Sequence, residues 1–158
     1  MKKIVYAFCL LVFVFGVGMV YRAEVVADNN RVIAEFQNEV PRECFFEEDS
    51  SALTAEAIAN LDAQIAWMKK HPQYSFLVRG FAAKAEDEND TSAEYALMLG
   101  ERRTMAVREY LIANGIAVER INTISFGQNA DPSRPAEAKD RAKIRRTETV
   151  LEAPEGVE

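Results

Sequence analysis

Residues 91–108 run Thr-Ser-Ala-Glu-Tyr-Ala-Leu-Met-Leu-Gly-Glu-Arg-Arg-Thr-Met-Ala-Val-Arg. They read as a helix opened by a capping box, with Thr91 accepting from the third helical position and Glu94 reaching back. Leu99, Ala106 and Val107, with Leu111 and Ile112 beyond, supply its apolar stripe, and Arg102 and Arg103 sit together in its middle. Paired cations are common on solvated helix faces. Here the order of the flanking segments makes them informative. A strand ending in Gly80 precedes the helix, Asn114-Gly115 closes it, and the strand Ile121 to Gly127 and a late Arg145-Arg146 pair follow. Glycine suits the left-handed position after a helix.

Outward from this core the pattern continues. Ile58, Leu61, Ile65 and Met68 recur at helical spacing within Ser51 to Lys70, with Thr54 as cap and Pro72 as stop. Trp67 falls off the centre of that stripe and is expected to pack at its rim. Tyr74 to Gly80 alternates as a strand with one covered face. Ala136 to Lys143 reads as a short helix or loop before a last strand, Arg145 to Leu151, and the acidic residues 152–158 read as a disordered tail. Alternating strands and helices predict an α/β (α+β) sandwich, a mixed sheet of about four strands with two main helices on one face.

Leu99-Gly100-Glu101-Arg102-Arg103-Thr104, set in this order of elements, resembles the OmpA-like carboxy-terminal domain, most closely its peptidoglycan-associated lipoprotein branch. The resemblance covers roughly 40–151, beginning at Cys44-Phe45-Phe46 and the loop to Leu53. It implies a non-catalytic cell-envelope module that holds peptidoglycan through the diaminopimelate of its stem peptide. In the family an aspartate after the second strand meets the ligand ammonium, and an arginine on the next helix meets a carboxylate. A zwitterionic group needs one anion and one fork-shaped cation held close together. Arg103 takes the arginine position, in preference to Arg102.

The matching aspartate is missing. Gly80 is followed by Phe81-Ala82-Ala83, so Ala83 stands at the aspartate position and Phe81 where the family has histidine. Ala96 follows Tyr95, and Ile144 precedes Arg145-Arg146, where the family has asparagine. The loop from Gly80 to Tyr95 is longer than in that branch and acidic, with Glu86, Asp87, Glu88 and Asp90. Two readings remain open. Asp87 substitutes for the missing aspartate, or the acids form a solvated loop beside a weakened pocket. Arg145 and Arg146 match the family's paired arginines, and one of them is expected to brace the ligand loop. A degenerate scaffold serving protein–protein contacts in the envelope is the alternative function.

The composition agrees with an envelope module. The chain has 158 residues, 49% hydrophobic and 28% charged, enough for one domain with its own core plus a short extension. A formal charge of −6 leaves no basic footprint, so nucleic acid is excluded as a partner class. Met1-Lys2-Lys3, the apolar run Ile4 to Val20 and Val25-Val26-Ala27 make residues 1–27 either a cleaved signal peptide or a membrane anchor. Residues 28–39 read as a linker or partly helical lead-in, with the domain at 40–151. The globular part is thereby placed in the periplasm of a diderm bacterium, with outer-membrane association left open. Cys9 lies inside the apolar run without a lipobox, so no lipid anchor is expected there. Cys44 reads as a packed strand thiol. His71, the sole histidine, reads as an exposed turn residue and not a metal ligand. No nucleophile–base set, phosphate loop or cofactor motif appears, and no enzyme is expected.

Overall fold

The computed structural model describes residues 26–83, 92–128 and 141–152. Residues 26–39 form helix α1. The chain continues through β1 (Glu43–Phe45), α2 (Ala55–Lys70), β2 (Ser75–Phe81) and α3 (Ala93–Ala113). A 3-10 turn (Val118–Arg120), β3 (Ile121–Gly127), the short α4 (Arg141–Ile144) and β4 (Arg146–Glu152) complete it. The strands form one mixed sheet in the order β1-β4-β2-β3. β4 runs antiparallel to both neighbours, and β2 and β3 are parallel.

Cross-strand partners share a sheet face, and the register therefore says where the helices lie. Cys44, Thr147 and Gly80 stand opposite one another on β1, β4 and β2. Cys44 Sγ is 3.8 Å from the Ala57 carbonyl of α2, and Gly80 faces the Gly100 backbone of α3. Both helices thus cover one face, as expected. The neighbouring row, Glu43, Glu148 and Arg79, belongs to the other face. Like charges directly opposite repel, and each carboxylate is offset by arginine. Glu148 accepts from Arg42 at 2.7 Å and Arg79 at 2.6 Å, and Glu43 lies 3.2 Å from Arg146.

Thr54 caps α2 by accepting from Ala57 N at 3.0 Å. Leu61, Ile65 and Met68 are buried as the spacing predicts, whereas Ile58 is exposed. α3 starts two residues after the expected cap. Ser92 takes that role, accepting from Tyr95 N at 3.0 Å, and Thr91 lies outside the described residues. Gly115, at φ +90°, ends α3 as expected.

Of the two readings of residues 28–39, the helical lead-in holds and the linker does not, and Phe36 in it is completely buried. Its ring packs 4.7 Å from Trp67 and 5.8 Å from Phe76. Two readings are corrected. Trp67 is accordingly a core residue instead of a rim one, its Nε1 donating to Glu35 at 3.4 Å. His71 is stacked on Trp67 at 3.8 Å instead of standing free in its turn. α1 closes the end of the core that α2 and α3 leave uncovered, so an indole off the α2 stripe is still shielded. The expected signal or anchor segment, the acidic loop and the tail beyond Glu152 lie outside the described residues. Among the described residues no helix is long and apolar enough to cross a membrane.

Candidate functional site

The site is positioned by a backbone-to-backbone contact. A Cβ on Gly80 would lie 2.3 Å from the Gly100 carbonyl oxygen, and one on Gly100 would lie 2.3 Å from Ser125 Oγ. At Gly80 the obstacle is helix backbone, so only glycine there lets α3 lie this close to the sheet, whereas at Gly100 the nearest atom belongs to a side chain. Arg103 follows Gly100 by three residues, hence on the same helix face, and is aimed at the end of β2.

Arg103 is fully buried. Its Nε donates to the Ser50 carbonyl at 2.9 Å, one terminal nitrogen to Phe81 O at 3.0 Å and the other to Glu47 O at 3.1 Å. The guanidinium also lies 5.2 Å from the Phe46 ring. It joins three segments, namely the loop after β1, the end of β2 and the middle of α3. Buried carbonyls need donors, and one planar fork supplies them at three fixed angles, which lysine cannot.

The loop that Arg103 holds contains a tight turn. Ser50 N donates back to Glu47 O at 3.3 Å, placing Asp49 at the third turn position. Asp49 has φ +52°, the only non-glycine positive φ among the described residues. Its carboxylate accepts from the Tyr95 hydroxyl. The Arg102 guanidinium lies over the Tyr95 ring, 5.7 Å from its centroid. Arg102 is exposed and opens, with Ser51, Met98 and Met105, onto a depression of about 520 Å³ along α3.

Of the positions that depart from the family pattern, Phe81, Ala83 and Ala96 are apolar and buried, and Ile144 is half-buried. Phe81 stacks on Phe126 at 5.3 Å, with the Arg146 guanidinium 4.6 Å from its ring. Ala82, Ala83 and Ala96 are buried. Arg145 is half-buried and donates to Phe46 O at 3.3 Å, while Arg146 is buried and donates to Lys143 O at 2.8 Å. Arg103 and Arg145 therefore converge on the same Glu47–Ser50 side of the fold through the Phe46 segment. Asp87 lies outside the described residues. Among the described residues no group of histidine, cysteine and carboxylate side chains could hold a metal.

The resemblance to the family motif favours Arg103 over Arg102 and passes over Asp49. The signal for Arg102 is its spacing of seven from Tyr95, two turns along one helix face. Nothing local marks Asp49.

The OmpA family profile matches residues 45–145. The chain belongs to the OmpA family. Membership confirms the resemblance read from the Leu99–Thr104 segment, and with it a non-enzymatic, structural class of protein. Among OmpA-family relatives, the peptidoglycan-associated lipoprotein of Rhizobium meliloti (strain 1021) is 37% identical over 117 residues. That match covers 74% of this chain and 64% of the relative, so the chain spans less than two thirds of that protein. The corresponding lipoprotein of Brucella melitensis is 37% identical over 121 residues, covering 74% of this chain and 67% of its own. The fold matches the crystal structure of the peptidoglycan-associated lipoprotein from Burkholderia pseudomallei with TM-score 0.57 and 26% identity, over 70% of this chain and 90% of that one. A putative MotB-like protein from Desulfovibrio vulgaris matches with TM-score 0.65 over 86% of this chain and 99% of that one; at 17% identity this concerns the fold alone.

Proposed function

We propose that this domain associates non-covalently with peptidoglycan in the periplasm of a diderm bacterium, through the diaminopimelate-bearing stem peptide, and more weakly than relatives with a complete ligand motif. Residues 1–27 serve its export. The observation that supports this most is Arg103, at the family's arginine position, tying the loop after β1 to the end of β2. Relatives at 37% identity carry peptidoglycan association in their names. Weakening follows from Ala83, a buried methyl where the family pattern has a carboxylate. A charge-assisted hydrogen bond contributes about 1.5–3 kcal/mol, so its absence lowers affinity roughly 10- to 150-fold.

The test is co-sedimentation of the purified domain with isolated sacculi, competed by a diaminopimelate tripeptide, together with calorimetry on Ala83→Asp. Measurable sedimentation and tighter tripeptide binding by Ala83→Asp are expected. No sedimentation by either protein would sink the proposal. One observation favours the second reading, a scaffold for protein contacts in the envelope. Leu97 and Met98 are neighbours on α3 and are 47% and 48% exposed, an apolar pair offered to a partner surface. Capture of a specific envelope protein with no sacculus binding would decide for it.

A further inference from the structure

We propose that the outer edge of β3 is a contact between two copies of this chain, their β3 strands pairing antiparallel about a two-fold axis. The sheet ends at β1 on one side and at β3 on the other, and the two edges are built differently. β1 has three residues, its Glu43 carbonyl accepts from the Asn60 side chain of α2 at 2.9 Å, and Arg42 and Glu43 bring charge to it. Short length, charge and covered backbone groups keep an edge from pairing. β3 has seven residues, Ile121–Gly127, none of them charged and none proline. Among the described residues it pairs with β2 alone. An edge strand directs a row of N–H and C=O groups away from its sheet, and this one is long enough to take a second strand.

Exposed apolar side chains follow the same strand. Val118 stands in the turn that leads into β3, Ile124 is its middle residue, and Leu97 of α3 lies over its end. Ser125 Oγ donates to the Leu97 carbonyl at 2.8 Å, and a Cβ on Gly127 would lie 3.0 Å from the Leu97 backbone. Ile124 is 43% exposed. The occupant follows from the strand's own sequence, which is close to self-complementary. Full overlap of two antiparallel β3 strands puts Ile124 opposite Ile124, and Thr123 opposite Ser125 of the second copy. Ile124 pairs with Arg79 and so belongs to the face that α2 and α3 leave open, whereas Thr123 and Ser125 pair with Val78 and Gly80 on the helix face. The contact thus joins isoleucine to isoleucine on one face and hydroxyl to hydroxyl on the other, and opposite residues of these kinds stabilise a strand pair. No like charges meet along it, which matters for two chains that each carry a net charge of −6. A two-fold contact uses the same surface on both copies, so it closes at a pair and builds no filament. It involves neither Arg103 nor position 83 and stands apart from the peptidoglycan reading.

The test uses the full chain with Cys9→Ser and Cys44→Ala, one new cysteine introduced at a time, diamide as oxidant and non-reducing gels as readout. Directly opposite Cα atoms of an antiparallel pair lie about 4.5–5.5 Å apart, within the roughly 4.4–6.8 Å that a disulfide spans. Ile124→Cys should therefore run at twice the mass of the reduced chain. Asn122→Cys is the control for register. It lies on the same face, but in the paired strands it stands four positions from its own counterpart, about 13 Å along the strand, and should stay single. Both residues are exposed, so thermal melts should match the cysteine-free parent and both thiols should react with maleimide. Dimer of equal yield at the two positions would mean chance collision and overturn the proposal. So would the absence of dimer from Ile124→Cys with its thiol reactive. A disulfide between Ile124→Cys and a different protein would assign the edge to a foreign strand and overturn it as well.

Discussion

Gly80→Ala should destabilise the fold far more than the same substitution at Gly100, and the size of the effect follows from the packing. The new Cβ would lie 2.3 Å from the Gly100 carbonyl oxygen, 2.5 Å from Thr104 Cγ2 and 3.0 Å from the Gly100 carbonyl carbon. Ordinary contact between such atoms needs about 3.5 Å, so α3 must retreat by roughly 1 Å. Two of the three atoms belong to backbone, and no rotamer change relieves them. Overpacking of this kind costs about 1–3 kcal/mol, and the backbone clash puts it near the upper end. The gain from a less flexible unfolded chain, about 0.4–1 kcal/mol, offsets a part. The net loss is about 2 kcal/mol, which at a urea slope of about 1–3 kcal/mol per molar lowers the midpoint by roughly 1 M. Gly100→Ala is the control. Its Cβ meets the Ser125 hydroxyl, a side chain able to turn away from the Leu97 carbonyl it bonds at 2.8 Å. That lost hydrogen bond, about 1 kcal/mol, is balanced by alanine's helix preference over glycine, also about 1 kcal/mol. Urea unfolding of the two variants should therefore differ by about 2 kcal/mol. Equal midpoints, or a more damaging Gly100→Ala, would refute the reasoning.

Phe36→Ala should cost about 3–5 kcal/mol, because a fully buried ring between Trp67 and Phe76 is lost; a melt within about 2 °C of wild type, against the roughly 3–5 °C that each kcal/mol shifts a domain between the small and the mid-sized, would mean α1 is not part of the folded unit. Burial pushes the Cys44 thiol from 9.0 up to about 12. Its folded pKa is raised, so the stability it contributes is complete below pH 9 and lost as pH climbs toward 12. Cys44→Ala should flatten the fall in melting temperature between about pH 9 and 11, and an unchanged slope would count against that burial. Glu148→Gln should cost about 1–3 kcal/mol in urea unfolding, less than the roughly 3–5 of a fully enclosed pair, since Arg42 and Arg79 each keep 21% exposure. No measurable change would show that the arginines simply turn to solvent.

How far the residues alone could be read depends on how local each cause is. The α2 cap at Thr54, its stop before Pro72, the left-handed Gly115 and the β3 span from Ile121 to Gly127 were all legible, because each is set by residues within a turn or by strict alternation. Ile58 failed within a correctly placed helix, since periodicity gives a face but not its width. Trp67 failed because it looked peripheral on its own helix. It is buried because Phe36, from an element distant in the chain, meets it ring to ring.

The candidate site divides along the same line. The sequence by itself determined the family, the strand end at Gly80, the arginine pair on the following helix and the absence of a carboxylate at position 83. These are properties of residue identity and spacing along one chain segment. Only the tertiary structure decided which arginine is buried and which is offered to solvent. The Glu47, Ser50 and Phe81 carbonyls that draw in Arg103 come from two other segments, as far as 56 positions away. So does Asp49, whose place beside Tyr95 depends on a contact across 46 positions. A hydrogen-bond fork is satisfied by whatever carbonyls the fold brings within about 3 Å of it, and that convergence is a property of packing, which no spacing within one helix encodes.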